Sequence, residues 1–408
     1  MDPQIQRLIF SPSDLLRDGK TLATPIRVGG RVEWITDEQL LLADAIGSLK
    51  LRCETELVRR LTLGALAVVK VKQQSGQLVV VAVEQVDAFA PPRGDSEWAR
   101  LVWSGKAKRL VALDRARQAI RHWFNERAFV ETETPSRLKA PGLDSDVEPV
   151  AAEDGWLVTS PELCMKRLLV AGMPRIFQFA KCFRRGELGP RHEPEFTMLE
   201  WYRGFSDLEQ ILDDTEELVM TAAAAVGAGQ KIEHEGRQVV LERPFLRLTV
   251  AEAFRRHAGI SAVDVLAREH RQRYFQLFVD QVEPSLAEYE RPVFLHAYPA
   301  SEAALARLNP QDPRWAERAE LYVAGVELCN GYSELSDPVE QRARFEAELK
   351  RRASEGSPVY PLDEAFLSAL EQGMPHSAGN ALGFDRLMML LVGCSAIDQV
   401  VAFPRNQV

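Results

Sequence analysis

The stretch Cys182-Phe-Arg-Arg-Gly-Glu-Leu-Gly-Pro-Arg-His-Glu-Pro-Glu-Phe-Thr-Met-Leu-Glu-Trp-Tyr202 decides the reading of this chain. It runs into a strand-like segment, Phe196 to Trp201, and follows another, Arg175 to Phe179. Within it sit a cation suited to phosphate (Arg184), an aromatic face (Phe196) and two groups suited to an ammonium (Glu200, Tyr202). No G-x-x-x-x-G-K-[ST] loop is present, so a nucleotide here must be held by side chains. Arginine fits that task because its rigid fork of donors grips phosphate oxygens and stays charged at any working pH. Arg184 and Arg386, the latter in Gly379-Asn-Ala-Leu-Gly-Phe-Asp-Arg386, are the candidates. Taken singly, each is more often a surface ion pair, and Tyr202 alone reads as an aromatic core residue.

Working outward, further strand-like runs occur at Pro292 to His296 and Ala319 to Cys329. They are not each followed by a crossover helix, which favours a mixed or antiparallel sheet over a doubly wound one. From Lys106 the pattern becomes helical, with Leu113, Ala116, Ile120, Trp123 and Phe124 on one stripe. An extended piece, Phe129 to Pro135, follows it. Ser206-Asp-Leu-Glu209 and Thr249-Val-Ala-Glu252 read as capping boxes opening later helices, and Ala222 to Ala225 as a helix end. No internal repeat is evident.

Before Lys106 the apolar residues cluster in short runs: Ile26 to Ile35, Leu40 to Ala45, Leu49 to Cys53, Leu63 to Val71 and Leu78 to Val86. Five strands with a brief helix, Glu54 to Arg60, before the fourth suggest a small OB-type β-barrel. An unspecific β-domain is the plainer alternative. Pro91-Pro-Arg-Gly-Asp95 breaks the pattern and gives a boundary between residues 1–95 and 96–408. The first hundred residues hold thirteen basic and thirteen acidic side chains, and the second run lacks an aromatic, so no base-stacking platform is evident. Trp34 and Phe89 are read as core-packing or domain-docking residues.

The chain's 408 residues allow one large and one smaller domain, and its 46% hydrophobic and 27% charged residues are those of an ordinary globular protein. A formal charge of −9 disfavours broad electrostatic capture of nucleic acid. Cys53, Cys164, Cys182, Cys329 and Cys394 are scattered without a C-x-x-C pair, arguing against a disulfide framework or zinc site. Met1-Asp-Pro-Gln lacks a secretory pattern and no apolar run is long enough for a membrane helix, so a cytoplasmic location is expected.

Phe-Arg followed by Arg-His-x-Pro-Glu-Phe-Thr-Met-Leu-Glu, and a late Gly-x-Asp-Arg, resemble motifs 2 and 3 of the class II aminoacyl-tRNA synthetases. The helix and strand ending at Pro135 resemble motif 1, where that family makes its dimer contact. Thr159-Ser-Pro-Glu-Leu-Cys-Met-Lys-Arg-Leu168 and Gly325-Val-Glu-Leu-Cys-Asn-Gly-Tyr-Ser-Glu-Leu335 are similar to the lysyl branch. Leu199-Glu-Trp-Tyr-Arg203, Tyr298-Pro-Ala-Ser301 and Met388-Met-Leu look most like the ligases that attach lysine to elongation factor P. The resemblance covers residues 107 to 405.

It implies an α+β fold: a class II synthetase catalytic domain, with an antiparallel sheet flanked by helices, here preceded by the OB-type barrel. It also implies ATP and Mg2+, formation of an acyl-adenylate without a covalent enzyme intermediate, and a homodimer. Catalysis of this kind is positioning and charge neutralisation at phosphorus. Arg184 would hold the α-phosphate and Arg386 the terminal phosphate, with Phe196 on adenine, His192 near the triphosphate, and Leu328 and Gly383 beside the nucleotide. Gly186 stands where the family has glutamate, and Glu187, one step later, is the expected substitute. Glu193 replaces a common asparagine, and Arg191 and Glu193 are open to pairing with each other.

The resemblance makes Glu320 and Glu327 the magnesium pair. On spacing alone they read as solvated charges, and seven residues apart in one strand they would face opposite ways, so a bend or bulge near Gly325 is required. It assigns Glu334, with Glu200 and Tyr202, to the distal ammonium of a lysine-like substrate. Ser160, Pro161 and Glu162 take its other amino group, and Asn330 lines the same slot. Ala381 stands where lysyl-tRNA synthetases usually have glycine; its methyl would favour (R)-β-lysine over α-lysine, with simple sheet packing as the alternative. The reading adopted is activation of (R)-β-lysine or lysine and its transfer to a lysine side chain of elongation factor P; the alternatives are charging of tRNA with lysine, against which Ala381 and the aromatic-poor barrel argue, and a catalytically silent paralogue that binds an amino acid and regulates another system. Retention of Arg184, Glu320, Glu327 and Arg386 argues against the third.

Overall fold

The computed structural model describes residues 8–18, 24–143, 147–268 and 270–407; the Met1-Asp-Pro-Gln segment lies outside them. The chain divides into two units, Met1–Val111 and Ala112–Val408.

The first unit carries strands β1 (Ile9–Phe10), β2 (Ile26–Ile35), β3 (Gln39–Ala43), β4 (Ser48–Arg52), β5 (Leu66–Gln74) and β6 (Gln77–Asp87). A short helix, Thr55–Val58, precedes β5. The pairing order is β1-β2-β3-β4-β6-β5, and β2 also pairs with β5. Alternation sets which side chains go inside: Val28, Val32, Leu40, Leu42, Leu49, Leu51, Val69, Val71, Val80 and Val83 form one buried cluster. Trp34 and Phe89, expected in packed surroundings, are instead 43% and 54% exposed. Trp34 stands on the solvent side of β2, with the Lys50 ammonium 5.8 Å from its ring centre.

The second unit begins with β7 (Val130–Glu131), β8 (Arg137–Leu138), β9 (Ala151–Ala152) and β10 (Gly155–Leu157). There follow β11 (Arg175–Phe183), β12 (Glu195–Gly204), β13 (Lys231–His234), β14 (Arg237–Val240) and β15 (Leu246–Thr249). The series closes with β16 (Val293–Pro299), β17 (Trp315–Val323), β18 (Val326–Ser333) and β19 (Ser377–Gly383). Eight of these form one sheet in the order β15-β16-β17-β18-β19-β12-β11-β7. Its central pairs are antiparallel, and the outermost pairs, β15 with β16 and β7 with β11, are parallel.

One face of this sheet is the main core. Phe177, Leu199, Trp201, Leu321, Cys329, Ala378 and Leu382 pack with apolar residues of helices Lys106–Glu126, Leu208–Val226 and Phe384–Leu391. Phe124 stacks on Phe177, ring centres 4.2 Å apart. The expected stripe on the first of these helices is buried as read.

Two local expectations shift. The cap of Leu208–Val226 is Asp207, whose side chain accepts from the Gln210 N–H, and not Ser206; an aspartate reaches the third N–H of the first turn as well as a serine does. Thr249 does cap its helix, accepting from the Glu252 N–H. Ala319 to Cys329 is not one strand but a hairpin, turned at Ala324 and Gly325, whose φ values are 51° and 74°. Both turn residues adopt the left-handed conformation that the tight turn between twisted strands demands. None of the five cysteines is disulfide-bonded. Among the described residues, no helix is long and apolar enough to cross a membrane.

Candidate active site

The other face of the sheet carries the polar residues, and its register explains why. Glu320 lies opposite Asn330, Asn330 opposite Ala381, Ala381 opposite Glu200, and Glu200 opposite Gln178. Directly opposed residues of antiparallel strands share a face, so these five positions make one row across β17, β18, β19, β12 and β11. The next row on that face is Arg318, Tyr332, Gly379 and Tyr202.

Glu327 would fall off this face by simple alternation from Asn330. It does not, because Leu321 pairs with Cys329 while Tyr322 pairs with Glu327, leaving Leu328 as the extra residue of a bulge. The hairpin brings the two acids to neighbouring strands and the bulge turns Glu327 to the side of Glu320. Glu320 accepts hydrogen bonds from Tyr298 Oη (2.5 Å), Tyr322 Oη (2.7 Å) and the Arg318 guanidinium (2.6 Å). Burial and the neighbouring Glu320 charge push the Glu327 carboxyl up to about 7, against the pull of Arg386 and Arg184. Two acids held together in this way suit a divalent cation, which would relieve their repulsion.

Two cavities open over this face. The larger, about 340 Å³, is lined among others by Ser160, Glu162, Tyr298, Arg318, Glu320, Asn330 and Tyr332. The smaller, about 80 Å³, is lined by Glu187, Arg191, His192, Phe196, Leu328, Gly383 and Arg386, with others. Arg184, Met198, Glu327 and Ala381 line both, so the cavities adjoin at one cation, one acid and the alanine in the middle of the sheet.

In the smaller cavity the Arg184 guanidinium lies 5.2 Å from the Phe196 ring centre, and Glu187 approaches it at 3.5 Å. Gly186 has φ 80°, the left-handed turn that a β-carbon would strain, and this conformation carries Glu187 back toward Arg184. His192 is held below its usual value by burial and by Arg386, so it is neutral at pH 7. Arg386 donates to the Arg191 and Glu327 carbonyls. Its helix, Phe384–Leu391, is tied to β12 by Asp385, which accepts from the Thr197 N–H at 2.7 Å. Arg191 and Glu193 do not pair: Arg191 reaches the Gly325 carbonyl and Glu235, and Glu193 accepts from the Arg405 N–H.

Behind the larger cavity lies a buried ionic group. Helix Glu162–Val170 presents Glu162 and Lys166, one turn apart, to the sheet. Lys166 Nζ stands 2.6 Å from Glu162 and 2.5 Å from Glu334, and Tyr332 Oη donates to Glu162 at 2.7 Å. Glu200 accepts from Ser160 Oγ (2.5 Å) and Tyr202 Oη (2.9 Å). Burial alone would lower the Lys166 ammonium, but Glu162 and Glu334 overcome it and hold the group protonated. One ammonium cannot neutralise two buried acids, and burial pushes Glu334 up to about 8, with Lys166 pulling it down and Glu162 up.

Of the residues singled out in the sequence, Ser160, Glu162, Arg184, Asn330, Ala381, Glu320 and Glu327 line the larger cavity. Glu200, Tyr202 and Glu334 are buried beside it, Glu334 against Lys166 instead of solvent, and Pro161 is the N-cap of the helix carrying Glu162. Sequence reasoning missed Lys166, Arg318, Tyr298 and Tyr322. The four-residue spacing of Glu162 and Lys166 was the available signal for the first; nothing local marked the others.

A mainly antiparallel sheet with arginines at one end of its polar face and buried acids at the other is the architecture of a class II amino-acid-activating enzyme. The chain belongs to the class II tRNA synthetases (D, K and N), whose family model it matches over residues 93–407. It is similar to elongation factor P–(R)-β-lysine ligases: 40% identical over 296 residues to that of Erwinia tasmaniensis, covering 70% of this chain and 91% of the relative. The ligase of Klebsiella pneumoniae strain 342 is 37% identical over 313 residues, with the same coverage. That of Vibrio parahaemolyticus is 41% identical over 299 residues, covering 70% and 92%.

Proposed function

We propose that this protein is an ATP- and Mg2+-dependent ligase that activates (R)-β-lysine, or lysine, as an adenylate and transfers it to a lysine side chain of elongation factor P. The observation that carries this reading is the junction of the two cavities at Arg184, Glu327 and Ala381. A carboxylate entering from the amine side there meets a phosphate entering from the nucleotide side.

The residues fit both groups. Arg184 and Arg386 supply fixed cations for the phosphates, Phe196 an aromatic face for the base, and Glu320 and Glu327 the acids for the metal. Mg2+ bound there would neutralise charge on the phosphate oxygens. This chain's own part is to orient: Glu162, Glu200, Tyr202, Asn330 and Glu334 fix the amino acid by its ammonium groups, and Asp385 fixes the helix that carries Arg386. Ala381, between Asn330 and Glu200 in the row, fills the floor where the substrate backbone lies.

The ring of pairings β2-β3-β4-β6-β5-β2 supports an OB-type barrel over residues 1–95, with the catalytic domain over 96–408. A homodimer through the segment ending at Pro135 and a cytoplasmic location complete the reading. One observation favours charging of tRNA as the second reading: exposed Trp34 beside Lys50 is a surface on which a base can stack.

The test offers purified protein elongation factor P and tRNA in parallel, with both lysine isomers and labelled amino acid. Label on elongation factor P is expected; label on tRNA alone would replace the first reading by the second. Lysine-dependent exchange of pyrophosphate into ATP should vanish in Arg184→Ala and Arg386→Ala. Unimpaired exchange in both overturns the site assignment.

A further inference from the structure

We propose that the wall of the larger cavity built by Arg271, Tyr274, Phe275 and Phe278, with the groove into which it opens, receives the lysine side chain of the acceptor protein as an uncharged amine. The inference rests on the proposed transfer to elongation factor P and names the site that this second substrate would use.

These four residues are spaced i, i+3, i+4 and i+7 over helix His270–Leu277 and the first residue after it, so one helical stripe faces the cavity. Ser301, from a segment that looks most like the protein-modifying ligases, lines the same cavity and takes no part in the proposed binding of amino acid or nucleotide. At Arg271, Ser301 and Ala304 the cavity adjoins a groove of about 290 Å³ beside helix Pro338–Ser354. Ser301 and Ala304 are exposed, so the junction opens to solvent. ATP and an amino acid enter whole, but an acceptor side chain stays attached to a folded protein and needs such a mouth.

The chemistry of this wall suits an amine and not an ammonium. Its two acids already face guanidinium groups: Arg271 lies 3.2 Å from Glu302, and Arg318 lies 2.6 Å from Glu320. The rest is ring surface, with the Arg271 guanidinium 4.6 Å from the Phe275 ring centre and Phe278 packed 6.2 Å from Tyr274. At pH 7 an ordinary lysine amine is uncharged in roughly one molecule in a few thousand, and an apolar, charge-matched wall raises that fraction. Tyr274 is 1% exposed, and its hydroxyl has no hydrogen-bond partner among the described residues. An amine N–H donating to that oxygen would satisfy it and leave the nitrogen lone pair free. In the transfer the nitrogen forms a C–N bond to the acyl carbon. The C–O bond to AMP breaks, its electron pair leaving on the phosphate oxygen, and the surplus amine proton goes to water.

The experiment separates the two half-reactions in the full chain. Activation is read as lysine-dependent ATP–pyrophosphate exchange, and transfer as label passed to elongation factor P, to tRNA, or to hydroxylamine, a small amine already uncharged at pH 7. Ser301→Trp places a bulky ring at the exposed mouth, and Tyr274→Phe removes only the hydroxyl. Both should keep exchange within about twofold of wild type, which also reports that they fold. Ser301→Trp should lower kcat/KM for elongation factor P about tenfold or more while hydroxamate formation continues, because hydroxylamine needs no wide mouth. Tyr274→Phe should slow transfer to elongation factor P by roughly three- to tenfold, the worth of one hydrogen bond. Exchange or hydroxamate formation lost in step with transfer, or transfer unchanged in both variants, overturns the inference while the proposed function stands. Wild type that labels tRNA alone overturns both.

Discussion

Gly379→Ala tests the packing on which the proposed amine slot depends. Gly379 sits on β19 opposite both Tyr202 and Tyr332, in the row beside Ala381. A methyl there would lie 2.3 Å from Cδ1 and 2.4 Å from Cε1 of Tyr202, and 2.9 Å from Glu334 Oε1. Ordinary carbon contacts lie near 3.5–4.0 Å, so the ring must move by more than an ångström. Tyr202 is 3% exposed and packed on both sides, which leaves it nowhere to go without disturbing its hydrogen bond to Glu200. Overpacking costs about 1–3 kcal/mol and loss of a hydrogen bond to a charged group about 1.5–3 more, so a total of about 2.5–6 kcal/mol is expected. The assay is urea unfolding followed by tryptophan fluorescence, with KM for the amino acid in pyrophosphate exchange. Gly189→Ala is the control, since a methyl there meets nothing within 4 Å. If Gly379→Ala unfolds within about 0.5 kcal/mol of wild type and keeps its KM, the close approach of β19 to the tyrosines is wrong.

Three other substitutions probe separate stations. Glu327 has its carboxyl raised, so in the free protein the folded state binds more protons than the unfolded one between about pH 4.5 and 7, and stability falls as pH rises through that window. Glu327→Gln should flatten this slope in thermal unfolding, modestly because 39% of the side chain meets solvent, and Mg2+ stabilisation of the wild type should grow from pH 6 to 8. Asp385→Ala removes the acceptor of the Thr197 N–H and should cost about 1.5–3 kcal/mol, with kcat of pyrophosphate exchange falling because Arg386 is no longer fixed. Ala381→Gly should improve use of α-lysine relative to (R)-β-lysine by roughly tenfold, the worth of one methyl; an unchanged ratio of kcat/KM values would refute the specificity argument.

Much of the site was legible because its chemistry is local. Arg184, Phe196 and Glu200 stand within one strand and its approach, and Arg386 follows Gly383 at a helix start, so the motifs that carry the family resemblance already hold these residues, and their roles are what that resemblance implies. Strand limits in the first unit were also close, since alternation is a short-range signal: β2 has the bounds that the apolar run marked. What needed the fold was everything set by pairing between strands. The opposition of Ala381 to both Asn330 and Glu200 depends on register, and the bulge at Leu328 shows only once Tyr322 is seen across from Glu327. The hairpin at Ala324 and Gly325 was half legible: the spacing of Glu320 and Glu327 required a bend or bulge near Gly325, but Ala319 to Cys329 read as one strand because alanine rarely marks a left-handed turn. Lys166 was passed over for another reason: its spacing from Glu162 is in the sequence, but a lysine on a helix is ordinarily solvated, and only tertiary packing shows it buried between two acids.

The composition of β19 ties these parts together. Its site-facing positions are Gly379, Ala381 and Gly383, while Ala378 and Leu382 on the opposite face belong to the core. The central strand thus contributes almost no side chain to the site, and its neighbours supply the polar heads: Asn330 and Tyr332 from β18, Glu200 and Tyr202 from β12. The result is a low strand between two polar neighbours, covered by Tyr202 at its Gly379 end and open to the cavities at Ala381 and Gly383. At Gly379 it lies under Tyr202 and Glu334, at Ala381 it reaches the residue shared by both cavities, and at Gly383 it lines the smaller one. Four residues of extended strand span roughly 13 Å, more than an extended six-carbon amino acid with one attached phosphate needs. Under the proposed function the substrate lies along β19, with its ammonium at the Gly379 end and its carboxylate near Ala381. A methyl at each station should therefore fail differently: at Gly379 it displaces Tyr202, at Gly383 it approaches Arg386 Cδ no closer than 3.5 Å, and at Ala381 it is already present, where the proposed function would have it select between isomers.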